Sequence, residues 1–279
     1  KAMRVLVSYR GIPDKPGWEM GASLARGFRQ LGHEVYPYGN VYQSQMRIGN
    51  IPEGGVDLLV WVECNDADPQ YLELAKLDCP KIMYDQDTAM HLQQTADLAG
   101  HLKPKVLFLG NRECKIEVSG VSVQHMPWGA DTTLFRPGTG PRTGAAMMGT
   151  PFKDRVEFCN RAGILLMQRY CEEYAKTLQE LQVHVHHTTT AGDELIVTRN
   201  WETLAAGCCL LTKDTKQIRE YFTPGVHLLA FKDDADCVRQ VKWAKDHPGE
   251  VAKISEAGYR EVMARHTYRH RVEAILEAL

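Results

Sequence analysis

The chain predicts a doubly wound α/β protein of two similar domains, and three observations carry that expectation. Short apolar runs alternate with amphipathic stretches from Arg4 to Leu109, strand and helix patterns resume at Ala145, and a passage rich in proline and glycine separates the two halves. Such alternation predicts parallel sheets with helices on both faces, the Rossmann-like arrangement in which ligands bind at the carboxyl ends of the strands.

Arg4-Val-Leu-Val-Ser8 reads as the first strand, Trp18 to Leu31 as an amphipathic helix closed by Gly32, and His33 to Tyr36 as the second strand. Three more strands follow at Val56–Val62, Lys81–Tyr84 and Val106–Leu109, with helices over Tyr71–Leu77 and Met90–Leu98 between them. The loop from Tyr9 to Gly17 holds two glycines and no Gly-x-Gly-x-x-Gly, so a nicotinamide cofactor has no support. Gly11 there either touches a phosphate or simply turns the chain. Asp85-Gln-Asp87-Thr-Ala-Met-His91 follows a buried strand directly, which gathers Asp85, Asp87 and His91 at the carboxyl edge of the first sheet. Asp87 or His91 could serve as a general base if its pKa is tuned, and Asp87 is equally placed to cap the following helix. Pro127 and Pro137 then break regular structure, and Gly138-Thr-Gly-Pro-Arg-Thr-Gly144 reads as a flexible connector. The domains are therefore expected at 1–137 and 138–279.

The second half opens with a strand at Ala145–Met148, a tight turn at Gly149, and Arg155. One helix over Leu165–Leu181 and one strand over Val183–His187 follow, which is short for a full doubly wound half, so a strand-helix unit is either absent or unobserved. Asn200 reads as the N-cap of a helix over Trp201–Ala206, with Glu202 in its first turn and Gly207 at its end. Cys208 to Leu211 is a short apolar strand with Thr212-Lys213-Asp214 at its carboxyl end, and a helix from Ile218 leads to a strand at Leu228–Phe231. Helices over Val251–Ala264 and Tyr268–Leu279 close the chain, the last expected to cross back onto the first domain. Arg199 and Glu202 are either an ion pair on a solvated helix face or a ligand-binding pair at the sheet edge. His184, His186 and His187 read as a polar sheet face; no cysteine or carboxylate completes a tetrahedral set, and no metal is expected.

Composition narrows the function. At 279 residues with 44% hydrophobic content, the chain can bury two ordinary cores. A formal net charge of -2 argues against binding driven by broad phosphate neutralisation. Eight cysteines form no Cys-x-x-Cys pair and several sit in apolar runs, which suits a reducing compartment. With no membrane-length apolar stretch and no signal-peptide core before the first strand, a cytoplasmic protein is expected.

The block Arg199-Asn-Trp-Glu202-Thr-Leu-Ala-Ala-Gly207 resembles the Arg-x-Phe-Glu-x-Leu-Ala-x-Gly block of group 1 glycosyltransferases, in particular the spore-maturation-type branch, with Trp201 in place of Phe. The likeness continues through Phe222-x-Pro-Gly225, Ile254-Ser-Glu-Ala-Gly258 and His266-Thr-Tyr268 with Arg271, and Met126-Pro-Trp-Gly-Ala-Asp131 to Phe135-Arg-Pro137 resembles the passage that ends the family's first domain. The resemblance implies a GT-B arrangement, two Rossmann-like domains facing a cleft. It also implies a UDP- or GDP-linked sugar donor and no other cofactor, with retention at the sugar carbon. Glu202 would bind the donor ribose, Arg199 would lie near the diphosphate or base, and Arg155 would meet donor phosphate. Asn200 and Lys213 would complete the donor side, and Glu194 would supply the first acid of a two-glutamate motif, although Ile196-Val197 stands where that motif has Phe-Gly. Asp85, Asp87 and His91 would face the donor from the other domain. The acceptor is left open, with nucleic acid entering only as an acceptor. Alternatives are a transferase acting on modified nucleic-acid bases or a sugar epimerase on the same scaffold, and a non-catalytic descendant that binds glycan or nucleotide.

Overall fold

The computed structural model describes residues 1–12, 17–41, 46–62, 70–85, 88–187 and 196–279; Asp87 and Glu194 lie outside them. The chain divides into two compact units, one of residues 1–128 with 268–279, the other of residues 129–267. The division falls at Trp128–Gly129, ahead of the junction expected at 137/138.

The first unit holds six strands, β1 (Arg4–Ser8), β2 (Glu34–Tyr38), β3 (Leu58–Val62), β4 (Lys81–Asp85), β5 (Val106–Leu109) and β6 (Ser122–His125). All pair in parallel in the order β2-β1-β3-β4-β5-β6. β3 is buried along its whole length, as a strand covered on both faces must be. Helices α1 (Met20–Gln30), α2 (Gln70–Ala75) and α3 (Thr88–Leu102) cover the sheet. The C-terminal helix, here α10 (Tyr268–Glu277), belongs to this unit and packs on α1. Gly27 makes the approach possible, since a Cβ there would lie 3.0 Å from the Tyr268 carbonyl oxygen. Buried Arg271 fixes the helix from the other side: its Nε donates to the carbonyls of Pro127 (2.8 Å) and Trp128 (2.9 Å), and its Nη2 to Trp128 again (2.7 Å). The Pro127 carbonyl also accepts from the Tyr84 hydroxyl (2.8 Å), so removing that guanidinium would strand chiefly the Trp128 carbonyl, at about 1–3 kcal/mol.

The second unit comprises β7 (Thr143–Met148), α4 (Lys153–Ala162), β8 (Leu165–Met167), α5 (Cys171–Glu180), β9 (Leu181–His186), α6 (Thr198–Ala205), β10 (Cys209–Lys213), α7 (Lys216–Tyr221), β11 (Leu229–Phe231), α8 (Asp234–Asp246) and α9 (Pro248–Arg265). Its sheet is also wholly parallel, in the order β11-β10-β9-β7-β8. Where one helix was expected over Leu165–Leu181, the structure has a strand and then a helix. Gly163 stops α4 in the left-handed conformation at φ 63°, and the next residues pair with β7 before α5 begins. The chain therefore runs outward from β7 to β8 and returns on the far side of β7 to β9. That reversal is the topological switch of a doubly wound sheet, the position where such folds bind ligands. Where the chain enters and leaves the unit, the Ala130 N–H donates to the His266 carbonyl (2.8 Å), and Ala130 pairs with Thr267 in a parallel bridge.

Candidate functional site

At the switch in the second unit, β7 ends in Met148 and the chain turns at Gly149, whose φ of 152° favours glycine. A Cβ there would lie 2.7 Å from Arg155 Nη1 and 3.9 Å from Arg199 Nη2, so two guanidinium groups converge over one stretch of backbone. Arg155 is anchored by donating from Nη1 to the Thr150 carbonyl (2.7 Å) and lies over the Phe152 ring at 5.5 Å. Burial, and after it the neighbouring Arg199 charge, push the Arg155 guanidinium below its usual pKa, yet an arginine stays protonated throughout the physiological range. Two like charges held this closely need an anion between them or a cost in stability.

Arg199 is carried by α6, which begins at Thr198 rather than after Asn200. Val197 holds the N-cap position, and Asn200, buried in the first turn, reaches back so that its Oδ1 accepts from the Val197 N–H (3.2 Å). The expected N-cap thus caps from inside. The Thr203 hydroxyl donates to the Arg199 carbonyl (2.6 Å) and meets His184 Nδ1 at 2.7 Å, tying α6 to β9. His184 is fully buried, and burial with the nearby Arg199 charge drives its pKa down to about 3. The same causes hold His186 well below its usual value. Both imidazoles are therefore neutral near the arginines.

Glu202 sits one turn beyond Arg199. Burial raises its carboxyl from 4.5 to about 7, with Arg199 and the Tyr174 hydroxyl opposing the rise and Asp131 adding to it. This is not an ion pair on a solvated helix surface: Tyr174 and Asp131 are themselves buried around it. Tyr174 belongs to α5, while Asp131 lies in the passage that opens the unit, where its Oδ1 accepts from the Thr133 N–H (2.9 Å) and hydroxyl (2.6 Å). Lys213 ends β10 and lines a recess of ≈ 420 Å³ with His187, Phe231, Lys232 and Asp234, to which neither arginine nor Glu202 contributes. The residues that sequence reasoning passed over are Thr150, Gln168, Tyr170 and Tyr174. Three of these four fall in the segment read as one helix or just before it.

In the first unit, Asp85 is the last residue of β4 and is buried, with its Oδ2 accepting from the Thr95 hydroxyl. The same hydroxyl lies 3.1 Å from the His91 carbonyl, and His91 sits at a kink in α3 with φ -135° and ψ 33°. Asp85 and the His91 backbone are thus joined through Thr95. Gly11 pairs with Val41 in a parallel bridge, and its N–H donates to the Asn40 carbonyl (2.9 Å). Among the described residues, no group of three or more His, Cys, Asp or Glu could hold a metal ion, and no helix is long and apolar enough to cross a membrane.

Residues 143–277 match a family described as glycosyl transferase-like, Glyco_trans_1_2. No curated protein matches the chain. Among solved structures it is similar to an α-glucosyltransferase in complex with UDP-glucose and DNA containing an abasic site (10% identity, TM-score 0.69, 99% of each chain covered). It is also similar to HepE of Anabaena in complex with UDP and glucose (10%, 0.63, 99% of this chain and 100% of that one) and to sucrose-phosphate synthase from Thermosynechococcus elongatus (9%, 0.64, 98% of each). At such identities the likeness is one of fold, and it extends over both units. Two parallel α/β sheets and these neighbours together show the GT-B fold, with a glycosyl transferase-like match over the second sheet.

Proposed function

We propose that the second unit holds a UDP-linked sugar, that Arg155 and Arg199 grip its diphosphate, that Glu202 accepts from the ribose hydroxyls, and that the sugar passes to an acceptor hydroxyl. The observation that carries this reading is the convergence of two arginines over Gly149 at the β7–β9 switch, with a carboxyl one helical turn away. Guanidinium forks match phosphate oxygens, and a carboxylate matches a vicinal diol. In the transfer, the bond between the sugar carbon and the diphosphate oxygen breaks with its electron pair going to UDP, the acceptor oxygen bonds to that carbon, and the acceptor proton leaves to a base. Asp85, His91 and Asp87 are the proposed groups for that proton. Charge grows on the departing diphosphate, so cations already in place lower the barrier.

The reading extends to a metal-independent reaction in a reducing cytoplasm, by an enzyme of the spore-maturation-type branch. Two fixed guanidinium charges supply the neutralisation that a coordinated ion supplies elsewhere. Two of the similar structures hold UDP or UDP-glucose, which favours uridine over guanosine in the donor; one of these also holds DNA, which puts nucleic acid among the acceptors to be screened. The test is calorimetry with UDP, GDP and UDP-glucose, followed by UDP-release assays with metal-stripped enzyme across an acceptor panel. UDP binding and undiminished turnover in chelator are expected. Preference for GDP, or turnover abolished by chelator and restored by magnesium or manganese, would refute the corresponding part.

A further inference from the structure

We infer that Tyr170 is a third donor to the diphosphate, acting through its phenolic hydroxyl on the departing group; this rests on the donor-site reading above. Tyr170 follows β8, on the opposite side of β7 from α6, and its ring remains 43% exposed while its hydroxyl is held in place. The Gln168 amide Nε2 donates to that hydroxyl at 3.1 Å, and Thr150 Oγ1 lies 3.2 Å from it. Thr150 is the residue whose carbonyl anchors Arg155, so a single residue fixes both the guanidinium and the phenol. The Gln168 amide N–H can only donate, and with the Thr150 hydroxyl turned to donate as well, the phenol keeps its own proton for an outside acceptor. The hydrogen bond with Thr150 above all, then that from Gln168 and the charges of Arg199 and Arg155, hold its pKa below the usual value against the opposing effect of burial, which makes it a stronger donor. The next residue, Cys171, holds a left-handed φ of 52°, a strained conformation for a residue with a Cβ. Two guanidinium groups and a phenol at one strand edge form a donor set suited to a nucleoside diphosphate.

The experiment compares Tyr170→Phe and Tyr170→Ala with Arg155→Ala and Arg199→Ala, measuring uridine, UMP and UDP by calorimetry and, in the intact enzyme, kcat and KM for UDP-sugar. A hydrogen bond to an ionised phosphate oxygen leads us to expect that Tyr170→Phe binds UDP about tenfold more weakly and uridine unchanged. Because charge on the leaving group grows in the transition state, kcat should fall more than KM rises. If Tyr170→Phe binds UDP and turns over like the parent while the arginine variants lose UDP, the donor site stands and the role of Tyr170 falls. If Tyr170→Phe is normal and Tyr170→Ala loses uridine and UDP equally, the ring stacks on the base and the hydroxyl plays no part. If the arginine variants bind UDP like the parent, the donor-site reading fails and takes this inference with it.

Discussion

In the first unit the acid at the end of β4, Asp85, is buried against the Thr95 hydroxyl, whereas at the end of β7 in the second unit two arginines converge over Gly149. The two sheets share one winding, so the contrast comes from the side chains and loops at their carboxyl edges. At the switch of the first unit, between β1 and β3, the described loop uses its own amides: Tyr9 donates to Tyr38, Gly11 to Asn40, and Ile12 and Gly17 both to the carboxylate of buried Glu19. Gly39 is there because a Cβ would sit 1.9 Å from the Tyr9 carbonyl oxygen. In the second unit the Gly149 N–H is also taken, by the Met167 carbonyl (3.0 Å). A doubly wound sheet therefore does not make an anion site merely by ending a strand at a glycine. On the proposed reading the affinity comes from guanidinium groups, and the glycine's contribution is to leave them room.

The largest test of that contrast is the double variant Arg155→Ala/Arg199→Ala. Loss of two charge-assisted anchors should weaken UDP on the order of 100-fold or more and uridine hardly at all. Asp85→Asn and Thr95→Val, at the other edge, should leave UDP affinity unchanged in calorimetry. Equal losses from the two edges would erase the distinction between them.

Glu202→Ala sharpens the comparison within the second unit. Loss of its hydrogen bonds to ribose should cost about 1–3 kcal/mol, and should do so for uridine and UDP alike. A loss confined to UDP would move Glu202 from the ribose to the phosphates.

A further test reads stability against pH. Glu202, raised from 4.5 to about 7, leaves the folded chain holding an extra proton between those values; its contribution is present below pH 4.5 and is lost as pH rises through 7, by about 3 kcal/mol at most. His184, lowered from 6.5 to about 3, acts in the opposite sense: its contribution is present above pH 6.5 and is lost as pH falls through 3. In urea unfolding the two partly offset each other between 4.5 and 6.5. Glu202→Gln should therefore show a steeper rise in stability with pH than the parent over that window. Parallel profiles would mean that the carboxyl is not held neutral.

The strands with long apolar runs were legible because burial on both faces leaves no polar alternation to confuse them, as in Leu58–Val62. That Arg199 and Glu202 share one short helix was legible because an amphipathic turn ending in glycine fixes its own extent. The three residues of β8 were not, since Leu165–Met167 has neither the length nor the alternation that separates a strand from a helix, and hydrogen bonds to β7 decide the matter. Tyr170 and Gln168 were hidden with it. Asn200 misled because an Asn can satisfy a helix start either from the cap or from inside the first turn. Asp233, whose side chain accepts from the Asp236 N–H (2.8 Å), opens α8 as a conventional cap that the apolar pattern alone did not reveal.

The hydrogen bond between Ala130 and His266 makes residues 129–267 an insertion whose two ends abut. The host is stitched at the same break, since Arg271, early in α10, holds Pro127 and Trp128. A segment bounded in this way needs only a short linker to be closed on itself, and joining ends that already touch carries little loop-closure entropy. Excision, circular permutation or exchange of the second unit should therefore be made at this seam, whereas shortening the chain from its C-terminus removes α10 and so damages the other unit.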